Sequence, residues 1–266
     1  MNNIKWFWVL MAASVCGCAA IRKANHIASD VYAWKSAPVE KTQTGSRRVL
    51  VNGAATDFVT MRITGVTLEK GESEKESVSA DFEDMIVVKE GSLKITINGE
   101  SKTVGSGSVA IVMPGDKRSF SNAADDETTF YVLRYRSKNP MDAERGKKAG
   151  GSFVMDWNDV KFNAGADGKG GVRQFFSRAT AMGQRMDLHA TTLSPGKSSH
   201  DPHHHRAEEM IIMLDGDVEE YLGPAEQGGI SKRATGGDII YLKSNEYHAI
   251  RNVGTQPALY FAFQFE

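Results

Sequence analysis

The chain has 266 residues, enough for two domains of ordinary size or one large one. Apolar residues make up 41% and charged residues 24%, a balance that is typical of globular proteins and argues against wholesale disorder. The 32 basic and 33 acidic residues leave a net charge of −1, too small a positive field to hold a phosphate backbone, so the sequence predicts no nucleic-acid partner.

The first 20 residues follow the order of a secretory signal. Met1–Lys5 carries the amino terminus and one lysine, Trp6–Val15 runs without a charge, and small residues follow at Cys16–Ala20. The uncharged run is shorter than the ~20 apolar residues that a membrane span needs. We therefore expect a signal peptide over residues 1–18 and an exported protein in the periplasm or cell envelope.

Both cysteines of the chain lie in this segment. The sequence Val15–Cys18 resembles the bacterial lipoprotein signal box, in which the last cysteine is lipidated, and this implies that Cys18 is a lipid anchor and the only contact with a membrane. Cys16 departs from the usual Ala, Ser or Thr, so simple cleavage near Ala19 or Ala20 is the alternative. Downstream of Cys18 there is no cysteine for a disulfide, a thiolate ligand or a nucleophile.

The remainder of the chain contains an internal repeat. At an offset of 125 residues, 84–91 (DMIVVKEG) aligns with 209–216 (EMIIMLDG). At an offset of 130 residues, 107–112 (GSVAIV) aligns with 237–242 (GDIIYL). The five additional residues fall in a glycine-rich loop at 223–229. One short insertion between two similar halves indicates the duplication of a whole domain.

We predict that the two copies occupy residues 31–136 and 154–266, with a charged linker at 137–153. Within the first copy, Ser92–Ile97 alternates polar and apolar residues, as a strand with one buried face does. Asn98-Gly99 follows as the signal for a tight hairpin turn. The sequence therefore predicts an all-β protein built from two small barrels or sandwiches.

The second copy carries histidines in a spaced pattern. In chain order the pattern is Gly196, His203, His205, Glu209, Gly216, Gly237, His248 and Asn252. Alternate residues of a strand point to one face, so we expect His203, His205 and Glu209 to converge, with His248 arriving from another strand. Three imidazoles and one carboxylate suit a divalent metal such as Fe, Mn, Ni, Co or Zn. The alternative is a histidine-rich surface loop, since His200 and His204 lie in the same segment.

This pattern resembles the two motifs of the cupin superfamily: glycine, His-x-His, Glu and glycine, then glycine, His and Asn. The resemblance implies a bicupin, with two tandem double-stranded β-helix (jelly-roll) barrels. It implies one divalent metal ion in the second barrel, with His203, His205, Glu209 and His248 as the ligands. We expect His204 to point away from the metal, and His200 either to support the ligands or to lie in solvent.

The first copy lacks all three of the predicted histidine ligands. At the two offsets, the four predicted ligands correspond to Val78, Ala80, Asp84 and Arg118. An arginine guanidinium cannot deprotonate to become a ligand. We therefore predict that the first barrel is degenerate, binds no metal by this route and serves as a packing partner for the second. Binding of a ligand in the interior of the first barrel is the alternative.

The resemblance specifies the fold better than the reaction, because cupins include lyases, isomerases, hydrolases, dioxygenases and non-catalytic binders. We expect a metal-dependent enzyme that acts on a small oxygen-rich substrate, such as a carboxylate, a keto acid or a sugar acid. A non-catalytic small-molecule or sugar-binding module and an Fe-dependent dioxygenase are the alternatives. The sequence assigns no catalytic residue apart from the metal ligands, and it leaves a homo-oligomer open.

Overall fold

The computed structural model describes residues 25–165, 168–224 and 228–266. The predicted signal peptide at 1–18 and its Cys18 lie outside the described residues. Within the described ranges, no helix is both long and apolar enough to cross a membrane.

The first half of the chain consists of short strands joined by turns. The strands are β1 (Asp30–Tyr32), β2 (Glu40–Thr42), β3 (Gly45–Gly53), β4 (Phe58–Leu68), β5 (Ser73–Val78), β6 (Glu83–Glu90), β7 (Ser92–Ile97), β8 (Glu100–Gly105), β9 (Val109–Val112), β10 (Lys117–Asn122) and β11 (Thr128–Ser137). The predicted hairpin turn is confirmed: Asn98 and Gly99 have φ values of 50° and 90°, and Ile97 pairs with Glu100.

The second half repeats this arrangement after a short helix, α1 (Ala143–Lys148), which lies within the predicted linker. The Asp142 side chain caps α1 by accepting a hydrogen bond of 2.8 Å from the Arg145 amide. The strands that follow are β12 (Phe153–Met155), β13 (Phe162–Ala164), β14 (Gly170–Arg178), β15 (Met186–Leu193), β16 (Glu208–Asp215), β17 (Asp217–Leu222), β18 (Ile230–Thr235), β19 (Ile239–Leu242), β20 (His248–Asn252) and β21 (Ala258–Phe265).

Each half folds into a barrel made of a larger and a smaller antiparallel sheet. Barrel 1 combines the strand order β9-β6-β11-β4-β3-β2 with β5-β10-β7-β8. Barrel 2 combines β19-β16-β21-β15-β14-β13 with β18-β17-β20. The smaller sheet of barrel 2 has no regular counterpart of β5, and isolated bridges at Ser198 and His203 take its place. The prediction of an all-β fold with two barrels is confirmed.

The two barrels exchange one strand each. β1 precedes barrel 1 in the sequence but pairs with β19 of barrel 2, with Val31 opposite Ile240. β12 precedes barrel 2 but pairs with β9 of barrel 1, with Val154 opposite Ala110. Each larger sheet therefore has seven strands, and the two sequence repeats interlock at these strands.

Apolar side chains fill three cores. One lies inside barrel 1, one lies inside barrel 2, and the third and largest lies between the two larger sheets. Side chains of β21 alternate between two of these cores. Those that enter the core between the barrels are Phe261, Phe263 and Phe265. Tyr260 and Ala262 enter the core of barrel 2. Strands that are buried on both faces read as continuous apolar runs, as the aligned β6 and β16 do.

A buried glutamate from each barrel also reaches across this interface. Each carboxylate accepts hydrogen bonds from a tyrosine hydroxyl of its own barrel and from a backbone N–H in a loop of the other barrel. The contacts are Glu83 with Tyr135 (2.7 Å) and Ala181 (3.0 Å), and Glu208 with Tyr241 (2.6 Å) and Thr56 (2.8 Å). We call these two contacts the glutamate clasps.

Candidate metal site

The centre of the candidate site is the carboxylate of Glu209 at the start of β16. Glu209 lies opposite Leu242 of β19 and Gln264 of β21 in the strand register. His248 opens β20 in the smaller sheet of the same barrel. Both side chains are buried, with 6% of Glu209 and 2% of His248 exposed.

The other two predicted ligands come from an irregular segment, not from the regular strand that the sequence analysis expected. His203 forms an isolated backbone bridge to His248, with N···O distances of 3.2 and 2.9 Å, and His205 lies beyond it outside any strand. Pro202 has no N–H to donate and restricts its neighbours, which explains why the ladder breaks here. The imidazoles therefore converge through the path of the loop and not through alternation along a strand.

Three hydrogen-bond acceptors face one another in this cluster. The Nδ1–H of His205 donates to the Ala207 carbonyl (2.8 Å), and the Nδ1–H of His248 donates to the Glu246 carbonyl (2.9 Å). With those tautomers, both Nε2 atoms carry lone pairs, and they lie 3.1 and 3.5 Å from Oε2 of Glu209. The Nε2 of His248 is buried and makes no hydrogen bond with the described residues. Such a set of acceptors requires protons or a cation between its members.

The electrostatics of the cluster favour an ionised carboxylate. Burial acts to raise the pKa of Glu209, but the hydrogen bond from His205 in its protonated form and the nearby charge of His205 and His248 outweigh burial and hold that pKa well below its ordinary value. The hydrogen bond to Glu209 in turn raises the pKa of His205. Burial lowers the pKa values of His200 and His203, which favours their neutral, ligating forms.

The potential ligands form two overlapping sets that share His248. One set is His205, Glu209 and His248, and the other is His200, His203 and His248; within each set the ligand atoms lie within 4.8 Å of one another. The structure thus brings all four predicted ligands into one cluster and adds His200 to it. The Nδ1 atoms of His200 and His203 are 3.0 Å apart.

Two other residues of the sequence pattern lie outside the cluster. His204 packs its ring against Tyr247, with ring centroids 4.5 Å apart, so it points away as expected. Asn252 donates hydrogen bonds to the carbonyls of Leu193 (2.8 Å) and Gln256 (2.9 Å). Its contribution is therefore to tie the end of β15 to the loop before β21 and not to bind a ligand.

A cavity of about 170 Å³ lies beside the cluster. Its walls include His200, His203, His248 and Glu209 together with polar side chains from β15, β21 and the irregular segment: Thr191, Ser199, Tyr260 and Gln264. Thr191 and Ser199 lie near the Tyr260 hydroxyl, and Thr191 is opposite Tyr260 in the strand register. Because these side chains line the cavity, a small polar molecule within it would contact both the histidines and Glu209.

Two further residues near this site were not predicted from the sequence. Gln264 donates a hydrogen bond of 3.1 Å to Oε2 of Glu209 and fixes the carboxylate. Glu220, in β17, is fully buried inside barrel 2, and its carboxyl oxygens have no hydrogen-bond partner of ordinary geometry among the described residues. The internal repeat offered a signal for both residues. At the offset of 130, Gln264 corresponds to Arg134, and at the offset of 125, Glu220 corresponds to the fully buried Ile95.

The corresponding place in barrel 1 holds ion pairs. Asp84, the counterpart of Glu209, accepts two hydrogen bonds from Arg134 (2.8 and 2.9 Å) and is 2.8 Å from a guanidinium nitrogen of Arg118. Val78 is exposed and cannot contribute a ligand. Within the described ranges, both groups of side chains that could hold a metal ion lie in barrel 2.

Several solved structures resemble this chain in their fold. The chain superposes on an oxalate decarboxylase from Lactobacillus farciminis in complex with formate, with a TM-score of 0.71 and 13% identity, covering 90% of this chain and 86% of that one. Ylba from E. coli gives a TM-score of 0.70 and 15% identity, covering 92% and 95% of the two chains. AerE from Microcystis aeruginosa gives 0.65 and 13%, covering 86% and 97%. At these identities the likeness is one of fold.

The sequence itself matches a family model twice. The model of the cupin domain covers residues 65–134 in barrel 1 and 189–263 in barrel 2. No curated protein sequence matches the chain. The two matched regions together span more than half of the chain and coincide with the two barrels. The chain belongs to the cupin family, as a member with two barrels.

Proposed function

We propose that this protein is an exported, metal-dependent enzyme that acts on a small oxygen-rich substrate: a carboxylate, a keto acid or a sugar acid. One divalent ion, from the group Fe, Mn, Ni, Co and Zn, is held in barrel 2 by His203, His205, Glu209 and His248.

The observation that carries this proposal is the orientation of three acceptors toward one point. The two Nε2 atoms of His205 and His248 face Oε2 of Glu209, while both Nδ1–H groups are tied to backbone carbonyls. Hydrogen bonds of this kind fix the tautomer and direction of ligating histidines. A cation would satisfy all three acceptors, including the otherwise unpartnered Nε2 of His248.

The residues around the cluster suit a small polar substrate. A divalent ion bound here supplies a Lewis acid for a substrate oxygen. Gln264 holds the Glu209 carboxylate, so its charge stays directed at the cluster. The hydroxyls of Thr191, Ser199 and Tyr260 line the cavity and can donate to a carboxylate or keto oxygen.

The fold neighbours support the choice of substrate class and of the first metal to test. One is an oxalate decarboxylase crystallised with formate, and another, from Bacillus subtilis, is an oxalate decarboxylase with Mn(II) centres. Both proteins are described as oxalate decarboxylases, and oxalate is a small carboxylate. Mn²⁺ is therefore the first ion to supply, followed by Fe²⁺, Co²⁺, Ni²⁺ and Zn²⁺.

Elemental analysis of the purified protein tests the metal site. We expect one ion per chain in the wild type and in a His204→Asn control, whose ring lies outside the cluster. We expect loss of the ion from His248→Asn with an unchanged far-UV circular dichroism spectrum. Two ions per chain, or one ion retained in His248→Asn, would contradict the assignment.

A screen of the metal-loaded protein tests the reaction. Carboxylates, keto acids and uronates are supplied while oxygen uptake, carbon dioxide release and substrate loss are recorded. Turnover without oxygen uptake is the expected result. Turnover that consumes oxygen would identify a dioxygenase, and saturable binding without turnover would identify a binding module.

The export part of the proposal rests on the sequence order of Trp6–Val15 and Cys16–Ala20. It places the protein in the periplasm or cell envelope, with Cys18 as a lipid anchor. Incorporation of labelled palmitate should occur in the wild type and disappear in Cys18→Ala. Incorporation that persists in Cys18→Ala would exclude the anchor.

A further inference from the structure

Barrel 1 contains a polar cleft of about 490 Å³ at the place where barrel 2 has its histidine cluster. Four arginines line it, Arg47, Arg62, Arg118 and Arg134, and we call it the arginine cleft. Small-molecule sites in proteins have volumes of roughly 300–1,000 Å³, so the cleft has the size of a ligand site.

The repeat explains the position of the cleft. Glu209 pairs with Gln264 across β16 and β21, and Asp84 pairs with Arg134 across β6 and β11. The next strand of each sheet carries Asp187 in barrel 2, whereas it carries Arg62 in barrel 1. Barrel 1 thus has an arginine at two successive positions where barrel 2 has a glutamine and an acid.

The charges of the cleft are not balanced by the protein. Arg47 is paired with Glu40 (Nη2–Oε1, 2.7 Å), and the other three guanidinium groups share the cleft and its floor with two carboxylates, Glu74 and Asp84, which leaves one positive charge. Arg62 lies directly opposite Arg134 in the ladder, and like charges in that position repel. Arg62 is exposed and forms no ion pair with a carboxylate of the described residues, although Glu40, the partner of Arg47, lies close enough to interact with it electrostatically.

Arg118 is the most deeply buried of the four arginines, and its burial is energetically unfavourable. The side chain of Arg118 is only 9% exposed, and its Nε–H is buried without a hydrogen-bond partner among the described residues. Burial of an incompletely paired guanidinium destabilises the fold. Its ion pair with the buried Asp84 accounts for part of the guanidinium, but the Nε–H is left as an unused donor.

The residues that line the cleft also indicate which chemical class of ligand it suits. Guanidinium groups bind planar carboxylates through paired N–H···O contacts. Val66, Val132 and Phe82 give the same cleft an apolar wall for a short carbon skeleton. A dense polyanion is disfavoured, because Glu74 also faces the cleft.

We propose that the arginine cleft of barrel 1 is a binding site for a small organic carboxylate, held by Arg62 and Arg134 at the mouth and by Arg118 beneath them. The site needs no metal and is separate from the proposed reaction in barrel 2. A two-barrel cupin of this kind would have one metal-dependent site and one metal-independent carboxylate site.

Calorimetric titration of the metal-free full chain with malonate, pyruvate and galacturonate tests this proposal. We expect saturable binding of at least one of the three at one site per chain. Arg62→Gln should weaken it about tenfold or more, which corresponds to ~1.4 kcal/mol. Arg62→Lys should weaken carboxylate binding less than Arg62→Gln does, because lysine keeps the positive charge. Some loss remains, since lysine lacks the paired N–H donors of the guanidinium group. The matched control is Arg251→Gln, an exposed arginine of β20 outside the cleft, with unchanged affinity expected.

Two further arms separate this site from the one in barrel 2 and from general anion binding. His248→Asn should leave carboxylate binding to the metal-free protein unchanged, and inorganic phosphate should bind at least tenfold more weakly than the best carboxylate. Binding that is lost in His248→Asn but kept in Arg62→Gln would overturn the proposal. Equal affinity for phosphate, or no binding of any of the three carboxylates, would overturn it as well.

Discussion

Two neighbouring imidazoles, those of His200 and His203, are candidates for the last position of the proposed metal site. His203 is the ligand that the sequence pattern predicts, whereas His200 lies 3.0 Å from it, Nδ1 to Nδ1, in the same cluster. We expect His203→Asn to lower metal affinity by more than tenfold, because a ligand is removed. We expect His200→Asn to lower it less, because only the support of a ligand is removed.

Competition against a fluorescent chelator would measure both affinities. The control His204→Asn should match the wild type, because His204 packs on Tyr247 outside the cluster. The reverse order, with the larger loss in His200→Asn, would make His200 the ligand and His203 its support.

Glu220 makes the stability of barrel 2 depend on pH. Burial, with a smaller contribution from the negative charge of Glu209, raises the pKa of Glu220 well above its ordinary value of 4.5. Between these two pKa values the native state keeps the proton and the unfolded chain releases it. The free energy of unfolding therefore falls as pH rises above about 4.5, by about 1.4 kcal/mol per pH unit from this group.

Glu220→Gln removes this titration and keeps the shape of the side chain. In metal-free protein, we expect the stability gained by Glu220→Gln over the wild type to increase from pH 5 to pH 8. Urea denaturation at several pH values measures the difference in free energy of unfolding between Glu220→Gln and the wild type. The other titrating groups contribute equally to both proteins, so their effects cancel in this difference. A difference that stays constant with pH would show that Glu220 keeps an ordinary pKa.

At the scale of secondary-structure elements, the sequence predicted local features such as turns, but it did not predict which distant strands pair. Two residues, Asn98-Gly99, sufficed to predict the β7–β8 hairpin, because a tight turn requires positive φ at both positions. The contact of Gln264 with Glu209 depends on the register of β21 against β16, and that ladder contains an irregularity. The exchanged strands β1 and β12 have three residues each, too few to show any alternation.

The exchanged segments are anchored by a matched pair of side chains. The Trp34 amide, after β1, donates to the Asp238 carboxylate (2.8 Å), and the Trp157 amide, after β12, donates to the Ser108 hydroxyl (3.0 Å). Asp238 also accepts from the amide and the hydroxyl of Thr235. The repeat thus provides two equivalent anchors, one with a charged acceptor and several bonds and the other with a single neutral bond.

We expect Asp238→Ala to lower the free energy of unfolding by roughly 2–4 kcal/mol and Ser108→Ala to lower it by about 1 kcal/mol. The difference follows from the number of donors left unpaired and from the greater strength of hydrogen bonds to charged acceptors. Equilibrium urea denaturation measures both values. Equal losses would mean that strand pairing alone holds the exchanged segments.

At the scale of the whole molecule, the two barrels share their largest core and cannot unfold separately without exposing it. That core includes Met61 and Tyr131 of barrel 1 and Met210 and Phe263 of barrel 2. The exchanged strands and the glutamate clasps cross the same interface. Barrel 1 therefore supplies part of the core on which barrel 2 also depends.

The last prediction follows from that shared core: the loss of one clasp should destabilise both barrels equally. Glu208→Ala leaves the Tyr241 hydroxyl and the Thr56 amide without their acceptor in a buried interface, at a cost of roughly 2–4 kcal/mol. Beyond the predicted signal peptide the only tryptophans are Trp34 and Trp157, so Trp34→Phe and Trp157→Phe leave one fluorescent probe at each junction. In both backgrounds, Glu208→Ala should lower the urea midpoint by the same amount and keep a single transition. Calorimetry should likewise give one peak; two peaks, or a shift at one tryptophan only, would mean that the barrels fold as separate units.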